Sequence, residues 1–486
     1  MGRWRDGEKK EGEKCNSSTP HLPISPSPIS STTIFAEATA RGKAGVAIIR
    51  ISGTMSGDAL LHLGLRNLPK PRRARLAKIY DSAGEIIDEA LILWMPGPHS
   101  FTGEDVAEIH VHGSRAVVDI LSKTLLSFGM HIAQPGEFTR RALLNGRMDL
   151  TEVEGLADLL AAETKYQQRQ ALRQMQGELG KLYESWRSSI ISALAHIEAY
   201  IDFPDEDLPA SLIENFQREI KRLADSIEAH LNDGARGQII RRGFHIAILG
   251  APNVGKSSLL NYLARSDVAI VSEIPGTTRD VIEVSLDIAG FPVIIADTAG
   301  IRETEDAIEI EGVKRARARG LEADMKIVML DAGEYPDFDK ESLALIDEDT
   351  LVVVNKCDLN PWIVDRGSWI ENKNAEPRIT NHESRYLHIS LKNKTGLTDL
   401  LQKLAKFLET HLTPTNEPVI TRERHRILLS NAIIHLKTLN NPGIFHNIEL
   451  AAENLRSAAH SLGQITGHIG LEEVLDELFR SFCIGK

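Results

Sequence analysis

Apolar residues recur along the first part of the chain in short runs with the period of β-strands. These runs, separated by turns, occupy residues 34–38, 45–51, 91–94 and 106–112. A helical pattern follows near residues 115–127. The pattern therefore predicts a domain of the α+β class.

A period of 3.6 residues marks two later stretches. Apolar residues recur at helical spacing in residues 150–202, as at Leu156, Leu159 and Leu160, and the pattern returns in residues 422–482. The simplest topology is one all-α helical domain built from these two separated segments, with the chain between them inserted as a further domain. Two separate helical tails are the alternative.

A phosphate-binding loop lies in the inserted part, at residues 250–257. The apolar run 244–249 precedes it and a helical pattern follows it, which is the context that this motif requires. Its glycines let backbone N–H groups surround phosphates, Lys256 can reach the β- and γ-phosphate oxygens, and Ser257 offers a hydroxyl to Mg²⁺. The other predicted contacts of this loop with the nucleotide come from Asn253, Val254, Gly255 and Ser258.

Two later motifs indicate that the nucleotide is GTP. Residues 297–300 match a motif whose aspartate holds a Mg²⁺-bound water and whose glycine amide meets the γ-phosphate. Residues 355–358 place Asp358 to accept two hydrogen bonds from guanine, and such sites reject a base without those donors by about ten-thousand-fold. Because each motif follows an apolar strand, together they predict an α/β Ras-like P-loop GTPase domain. The predicted GTP contacts here are Asp297, Thr298, Ala299, Gly300, Asn355, Lys356 and Asp358.

The inserted domain departs from Ras-like proteins at two positions. Ser390 begins a loop expected to touch the guanine O6, and Leu391 replaces the usual alanine in it. Ile301 stands where a glutamine orients the attacking water in Ras-like proteins. An apolar side chain cannot orient water, so the catalytic group is expected elsewhere. The predicted switch region, residues 270–280, contains two adjacent threonines, one of which can ligate Mg²⁺. Its carbonyls, together with a loop amide, could hold a monovalent cation where an arginine finger would otherwise place its charge.

Composition limits the class of protein. A length of 486 residues predicts about three domains, and a net charge of −12 argues against broad, nonspecific binding to nucleic acid. Cys15, Cys357 and Cys483 are too few and too scattered for a disulfide framework or a zinc site. No apolar run is long enough for a membrane span or a signal peptide. These features predict a cytoplasmic protein without a membrane segment, and residues 1–30 have the composition of a disordered leader.

Motifs from all parts of the chain together resemble the MnmE (TrmE) family of tRNA-modification GTPases, within the TrmE-Era-EngA-EngB-Septin-like superfamily. The motifs occupy residues 138–150, 201–206, 252–258, 275–280 and 482–486. The resemblance runs from about residue 31 to the last residue, and a misassigned start codon would explain the leader. It implies five segments: a leader at 1–30, an α+β folate-binding and dimerisation domain at 31–146, helical segments at 147–240 and 412–486, and a GTPase domain at 241–411.

The resemblance also implies a function and its partners. Members are K⁺-stimulated GTPases that install a carboxymethylaminomethyl-type group at carbon 5 of the wobble uridine of tRNA. The implied assembly is a homodimer that forms a heterotetramer with an FAD-dependent enzyme of the MnmG (GidA) type. Basic residues at 70–75 and at Arg236, Arg241 and Arg242 are candidates for contacts with tRNA phosphates, although such runs are more often solvated surface.

The resemblance assigns ligands in the GTPase domain. The K⁺ ligands would be Asn253, Ser272, Ile274 and Thr277, and the Mg²⁺ ligands would be Ser257 and Thr278. Glu309 would be the catalytic acid that orients water. The residues alone make Glu309 an ordinary solvated helix residue, and Glu311 is the competing assignment.

A 5-formyl-tetrahydrofolate-type one-carbon carrier is implied for the first domain. Its contacts would be Arg50, Glu108, Arg147 and Lys486. Basic groups suit the glutamate carboxylates of such a carrier, and a carboxylate suits the N–H donors of its pterin. Arg147 replaces a lysine of some relatives, which keeps the charge and changes the geometry.

Cys483 has three interpretations. A prenylation site is disfavoured because Gly485 and Lys486 do not suit that motif. A small apolar residue at the end of the last helix is the plain interpretation. The resemblance favours a functional thiol in the modification chemistry and leaves its role open.

Two other functions remain as alternatives. A ribosome-assembly or translation switch GTPase would need neither the folate-like domain nor the Cys-Ile-Gly-Lys tail. A folate-dependent one-carbon transferase with a vestigial GTPase domain would not need the intact set of nucleotide motifs.

Overall fold

A computed structural model gives the fold of the protein in two compact units, Met1–Arg147 with Cys483–Lys486, and Met148–Phe482. The residues that the structure describes are 32–202, 210–233, 235–270, 283–297, 323–347, 350–360, 386–413, 417–441, 444, 447–469, 478, 479, 482 and 485. For residues 202, 210–213, 297 and 386 the description covers the backbone only. The predicted leader, residues 1–30, lies outside these ranges.

The N-terminal unit contains one sheet in the order β3-β4-β5-β2-β1-β6, antiparallel except for the pair β1–β6. Its strands are β1 (Ile34–Glu37), β2 (Ala44–Ser52), β3 (Arg75–Tyr80), β4 (Ile86–Met95), β5 (Val106–Gly113) and β6 (His131–Ile132). Its helices are α1 (Ser56–His62), α2 (Arg115–Ser127) and α3 (Glu137–Leu144). The predicted α+β class is confirmed for this part of the chain.

The two faces of this sheet differ because side chains alternate along each strand. Ile49, Ile92 and Ile109 point to one face, where they share a buried core with residues of α1 and α2. Arg50 and Glu108 belong to the alternate set, and they lie opposite each other in the register of β2 and β5. The second face therefore carries polar groups that the helical layer leaves accessible.

The second unit contains a second sheet, in the order β12-β11-β10-β7-β9-β8. Its strands are β7 (Phe244–Leu249), β8 (Glu283–Ile288), β9 (Phe291–Asp297), β10 (Met325–Asp331), β11 (Thr350–Asn355) and β12 (Tyr386–His388). All pairs are parallel except β8–β9. The helices α9 (Lys256–Ala264), α10 (Lys340–Leu343) and α11 (Leu397–Leu412) accompany it.

Both faces of the second sheet are buried. Ile246 and Ile248 belong to one core and Ala247 and Leu249 to another, so β7 is apolar on both sides. Continuous apolar strands are typical of parallel sheets covered on both faces. Because β7, β9, β10 and β11 are parallel, their carboxyl ends lie at one edge of the sheet.

The helical part of the second unit comes from two separated segments of the chain. Its helices are α4 (Leu150–Ala161), α5 (Lys165–Met175), α6 (Glu178–Asp202), α7 (Ala210–Leu231), α8 (Arg236–Arg242), α12 (Glu423–Thr438) and α13 (Ile448–Thr466). Ile190 of α6 and Ile220 of α7 share one buried core with Leu429 of α12 and Leu455 of α13. The prediction of one helical domain with an inserted α/β domain is confirmed, and two separate helical tails are excluded.

Among the described residues, no helix is both long enough and apolar enough to cross a bilayer.

A buried carboxylate joins the two helical segments. Glu154 of α4 is 2% exposed and accepts hydrogen bonds from Arg424 Nε at 2.7 Å and from His425 Nε2 at 2.9 Å. Burial by itself would raise the pKa of Glu154, but His425, Arg424 and Arg422 hold it well below its usual range. Glu154 is therefore ionised at neutral pH.

A second carboxylate joins the two connections of the inserted domain. Asp158 Oδ1 accepts from Arg241, where the chain enters that domain, at 2.9 Å, and from Arg422, where the chain leaves it, at 2.8 Å. Arg242 forms an ion pair with Asp324. Arg241 and Arg242 thus serve as structural ion-pair partners within the protein.

We expect Glu154→Ala to lower the free energy of unfolding by about 3–5 kcal/mol, because it leaves buried cations without their carboxylate. Urea titration followed by far-ultraviolet circular dichroism measures this loss. Glu163→Ala is the matched control, since Glu163 is exposed, and its effect should stay within about 0.5 kcal/mol. Equal midpoints for the two variants would contradict the structural role of Glu154.

Candidate functional site

The loop between β7 and α9 has the backbone of a phosphate-binding loop. Gly250 has a φ of +141° and Gly255 a φ of +109°, values that favour glycine. A Cβ atom at Gly250 would lie 2.4 Å from the Met329 carbonyl oxygen, and one at Gly255 would lie 2.4 Å from Asn355 Nδ2. The loop packs this closely because both residues lack a side chain. The loop leads into the N-terminus of α9, where the first backbone N–H groups can donate hydrogen bonds to phosphate.

The side chains of this loop are placed for nucleotide contacts. Lys256 Nζ donates to the carbonyl oxygens of Gly250 and Ala251, each at 2.8 Å, so the ammonium group spans the loop. Ser257 and Ser258 are exposed in the first turn of α9. The Ser257 hydroxyl is a hard oxygen ligand of the kind that Mg²⁺ prefers. These residues fit a nucleoside triphosphate with its metal ion.

Asn253 and Val254 have opposite environments in the same loop. Val254 is 2% exposed and anchors the loop in the core. Asn253 is exposed and has a φ of +63°, a left-handed conformation that asparagine tolerates better than most residues. Its side-chain oxygen is therefore available to a ligand.

Asn355 connects the phosphate loop to the base-recognition loops. It is 3% exposed, and its Nδ2 donates to the Val254 carbonyl at 2.8 Å. Its Oδ1 accepts from the backbone N–H of Leu391 at 3.2 Å. Because this contact uses the backbone of Leu391, it does not depend on the residue that replaces the usual alanine.

Asp358 is held by Ser390. The Ser390 hydroxyl donates to Asp358 Oδ1 at 2.6 Å and accepts from the Asn393 N–H at 3.2 Å. The hydrogen bond from Ser390 lowers the pKa of Asp358, so the group is an ionised acceptor at neutral pH. Two backbone hydrogen bonds between Ser390 and Thr395, each of 3.1 Å, close the turn. This arrangement suits a base with two adjacent N–H donors.

Asp331 belongs to the site and was missing from the sequence prediction. Its Oδ2 lies 2.5 Å from Lys356 Nζ, and it is opposite Asn355 in the register of β10 and β11. The available signal was an acidic residue at the carboxyl end of an apolar strand. The neighbouring thiol of Cys357 is buried, and burial raises its pKa to about 11, so it is not a reactive thiolate.

Several predicted site residues lie outside the described ranges. They are Ser272, Ile274, Thr277, Thr278, Thr298, Ala299, Gly300, Ile301, Glu309, Glu311, Cys483 and Lys486. Asp297 ends β9, and its backbone is opposite Ile248 of β7. The motif at residues 297–300 therefore begins at the same edge of the sheet as the phosphate loop.

The N-terminal unit contains a second candidate site, around Arg50. The Nε and NH2 groups of Arg50 both lie 2.9 Å from Glu108 Oε1. Its guanidinium lies 5.6 Å from the centroid of the Phe101 ring and 5.9 Å from that of Phe138. Phe101 was missing from the sequence prediction, and Phe138 belongs to the motif at residues 138–150 but had no predicted role. Arg50 NH1 also donates to the Gly485 carbonyl at 3.5 Å.

The surroundings of Arg50 combine groups that suit a flat, polar ring. Glu108 offers a carboxylate, Phe101 and Phe138 offer aromatic surface, and the Gly485 carbonyl lies next to Arg50. Arg147 is exposed, and its Cγ lies 3.2 Å from the position of a Cβ at Gly103. These groups fit a pterin with a carboxylate tail.

Comparison with known proteins identifies the family. The model described as "MnmE helical domain" matches residues 150–483, and "GTP-binding protein TrmE N-terminus" matches residues 33–147. The tRNA modification GTPase MnmE of Paramagnetospirillum magneticum is 50% identical over 456 residues, covering 94% of this chain and 100% of that protein. The chain belongs to the MnmE family of tRNA-modification GTPases. The family prediction is thereby confirmed.

Further similarities accompany this assignment to the MnmE family. The tRNA modification GTPase MnmE of Rickettsia bellii (strain OSU 85-389) is 46% identical over 460 residues, covering 93% of this chain and 100% of that protein. A crystal structure of an Aquifex aeolicus Era variant bound to GDP and AlF4⁻ is 28% identical. It covers 39% of this chain and 67% of that chain, with a TM-score of 0.26.

We expect Asp358→Asn to weaken GTP binding by about a hundredfold or more, because the amide puts a donor against a donor of guanine. Xanthosine triphosphate carries a carbonyl in place of the guanine amine, so the variant should prefer it to GTP. Titration with fluorescent derivatives of both nucleotides measures the change.

The control for this experiment is Asp339→Asn. Asp339 caps α10 through the Ser342 N–H at 2.7 Å and takes no part in the base-recognition loops, so GTP affinity should stay unchanged. An equal loss of affinity for both nucleotides in Asp358→Asn would contradict the assigned recognition.

Proposed function

We propose that this protein is a K⁺-stimulated GTPase that installs a carboxymethylaminomethyl-type group at carbon 5 of the wobble uridine of tRNA. The observation that carries the proposal is the presence of two sites in one chain. One has the hydrogen bonds of a guanine site at Asp358, and the other has the Arg50–Glu108 pair next to Gly485. A switch GTPase without modification chemistry has no use for the second site.

GTP hydrolysis depends on residues of three loops in this proposal. Asn253, with Ser272, Ile274 and Thr277, holds K⁺, and the exposed side chain of Asn253 in the phosphate loop supports its part in that site. When bound, K⁺ supplies the positive charge that an arginine finger supplies in other GTPases. Ser257 and Thr278 ligate Mg²⁺.

The catalytic group lies in the segment after β9. Glu309 orients the attacking water, because Ile301 cannot do so at the position used by Ras-like proteins. Glu311, two residues further along the chain, is the alternative.

The second site holds a 5-formyl-tetrahydrofolate-type carrier, which when bound supplies the one-carbon unit. Glu108 accepts hydrogen bonds from the pterin, and Arg50 orients Glu108 through the contacts at 2.9 Å. Arg147 and Lys486 bind the carboxylates of the tail. Cys483 takes part in the modification chemistry near this site, because it precedes Gly485 by two residues and the Gly485 carbonyl contacts Arg50.

The proposed assembly is a homodimer formed through the N-terminal unit. The homodimer binds an FAD-dependent enzyme of the MnmG (GidA) type to form a heterotetramer. This assembly acts on tRNA in the cytoplasm. Leu76 and Leu91 support the dimer. They are 63% and 38% exposed and lie opposite each other in the register of β3 and β4. Exposed apolar pairs on a sheet suit a protein interface.

We expect GTP turnover in KCl to exceed turnover in NaCl by at least about tenfold, since the cation takes the place of an arginine finger. Asn253→Gly should abolish that difference, and glycine retains the φ of +63° at this position. Phosphate release at saturating GTP measures both rates. Binding of GTP should remain, which separates loss of the cation from loss of the loop. Equal rates of the unmodified protein in the two salts would exclude the K⁺ assignment.

We expect Cys483→Ser to abolish the wobble-uridine modification while GTP turnover continues, because the thiol is assigned to the second site and not to the nucleotide. Mass spectrometry of nucleosides from tRNA of cells that carry only the variant measures the modification. A gene deletion is the reference. Persistence of the modification in the deletion would exclude the tRNA function, whereas its persistence in Cys483→Ser alone would exclude an essential thiol.

A further inference from the structure

The hairpin of β8 and β9 lies between the two segments predicted to respond to the nucleotide. β8 begins at Glu283, shortly after the switch region 270–280, and β9 ends at Asp297, where the second motif begins. Phe291 and Ile295 of β9 are fully buried in the core of the GTPase sheet. A displacement at either end of the hairpin therefore acts on a packed, hydrogen-bonded unit.

The tip of this hairpin is attached to α5 of the helical domain. The Tyr166 N–H, in the first turn of α5, donates to the Gly290 carbonyl at 3.1 Å. The Tyr166 ring stacks on Phe291 with the centroids 4.1 Å apart and the planes at 28°. A Cβ at Gly290 would lie 3.2 Å from two atoms of the Tyr166 ring, so the tip and the ring are in close contact.

Helix α5 is in turn fixed to the connections of the GTPase domain. Gln170 Nε2 donates to the Gly237 carbonyl of α8 at 2.8 Å. Gln174 Nε2 donates to the Thr151 carbonyl of α4 at 2.9 Å, and Gln174 Oε1 accepts from Thr421 at the same distance. The helix thus contacts the hairpin at its first turn and the helical domain along the rest of its length.

We propose that Tyr166 is a positioning residue that transmits nucleotide-dependent movement of the β8–β9 hairpin to the helical domain through α5. The tight contact at Gly290 prevents the tip from sliding past Tyr166, so the hairpin and the first turn of α5 move together. This proposal rests on the proposed coupling of GTP hydrolysis to modification. Its test uses nucleotides without tRNA, folate or partner, so the two can fail separately.

The test is amide hydrogen exchange, read by mass spectrometry, on the full chain with Mg²⁺ and K⁺. The protein is compared with GDP bound and with the GTP analogue GMPPNP bound. We expect the exchange rates of residues 165–170 to differ between the two nucleotides. In Tyr166→Ala this difference is lost, whereas the difference in the phosphate loop remains. Tyr166→Phe is the matched control, because it keeps the ring and should keep the difference.

Two results would overturn the proposal. One is the same exchange at residues 165–170 with both nucleotides in the unmodified protein, while the phosphate loop responds. The other is a full nucleotide response of α5 in folded Tyr166→Ala. Should Tyr166→Ala fail to fold, Tyr166→Leu keeps apolar bulk without the stacking and is measured in its place. A purely structural contact would lower stability in these variants without removing the nucleotide response of α5.

Discussion

The buried carboxylate of Glu154 in α4 is the interaction that joins the two segments of the helical domain. Glu154 and its partner Arg424 are 270 residues apart in the sequence, with the whole GTPase domain between them. An ionised carboxylate at 2% exposure is stable only when cations surround it, and here they come from the start of α12. Asp158 then ties the entry and exit of the inserted domain to the same helix. These ion pairs join the two helical segments, which also share one buried apolar core.

The nucleotide site depends on the GTPase sheet and on hydrogen bonds between its loops. The sheet fixes the ends of β7, β10 and β11, and the loops after them are joined by side chains: Asn355 reaches Val254 and Leu391, and Ser390 reaches Asp358. Each of these side chains is buried or half-buried, so it is oriented before the nucleotide binds. A preorganised acceptor discriminates between bases because a wrong base leaves it without partners.

The site around Arg50 is built on the same principle in the N-terminal unit. The register of β2 and β5 sets Arg50 opposite Glu108, and the aromatic rings of Phe101 and Phe138 flank the guanidinium. Side chains on paired strands are held rigidly, so the groups around Arg50 are positioned before any ligand binds. The contact between Tyr166 and the β8–β9 hairpin connects the GTPase domain directly to α5 of the helical domain.

The sequence by itself determined the local motifs. A strand, a glycine turn and a helix are contiguous in the phosphate loop, so Lys256 and Ser257 could be placed from spacing alone, and the same holds for Asn355 and Asp358. The inserted topology also followed from helical periodicity on both sides of the loop.

Only the tertiary structure decided which distant charges meet. From the sequence, Arg241 and Arg242 were predicted to be solvated, because their partners, Asp158 and Asp324, are remote in sequence. Asp331, Phe101 and the stacking of Tyr166 on Phe291 escaped prediction for the same reason: pairing across elements depends on how the elements pack, which local patterns do not contain.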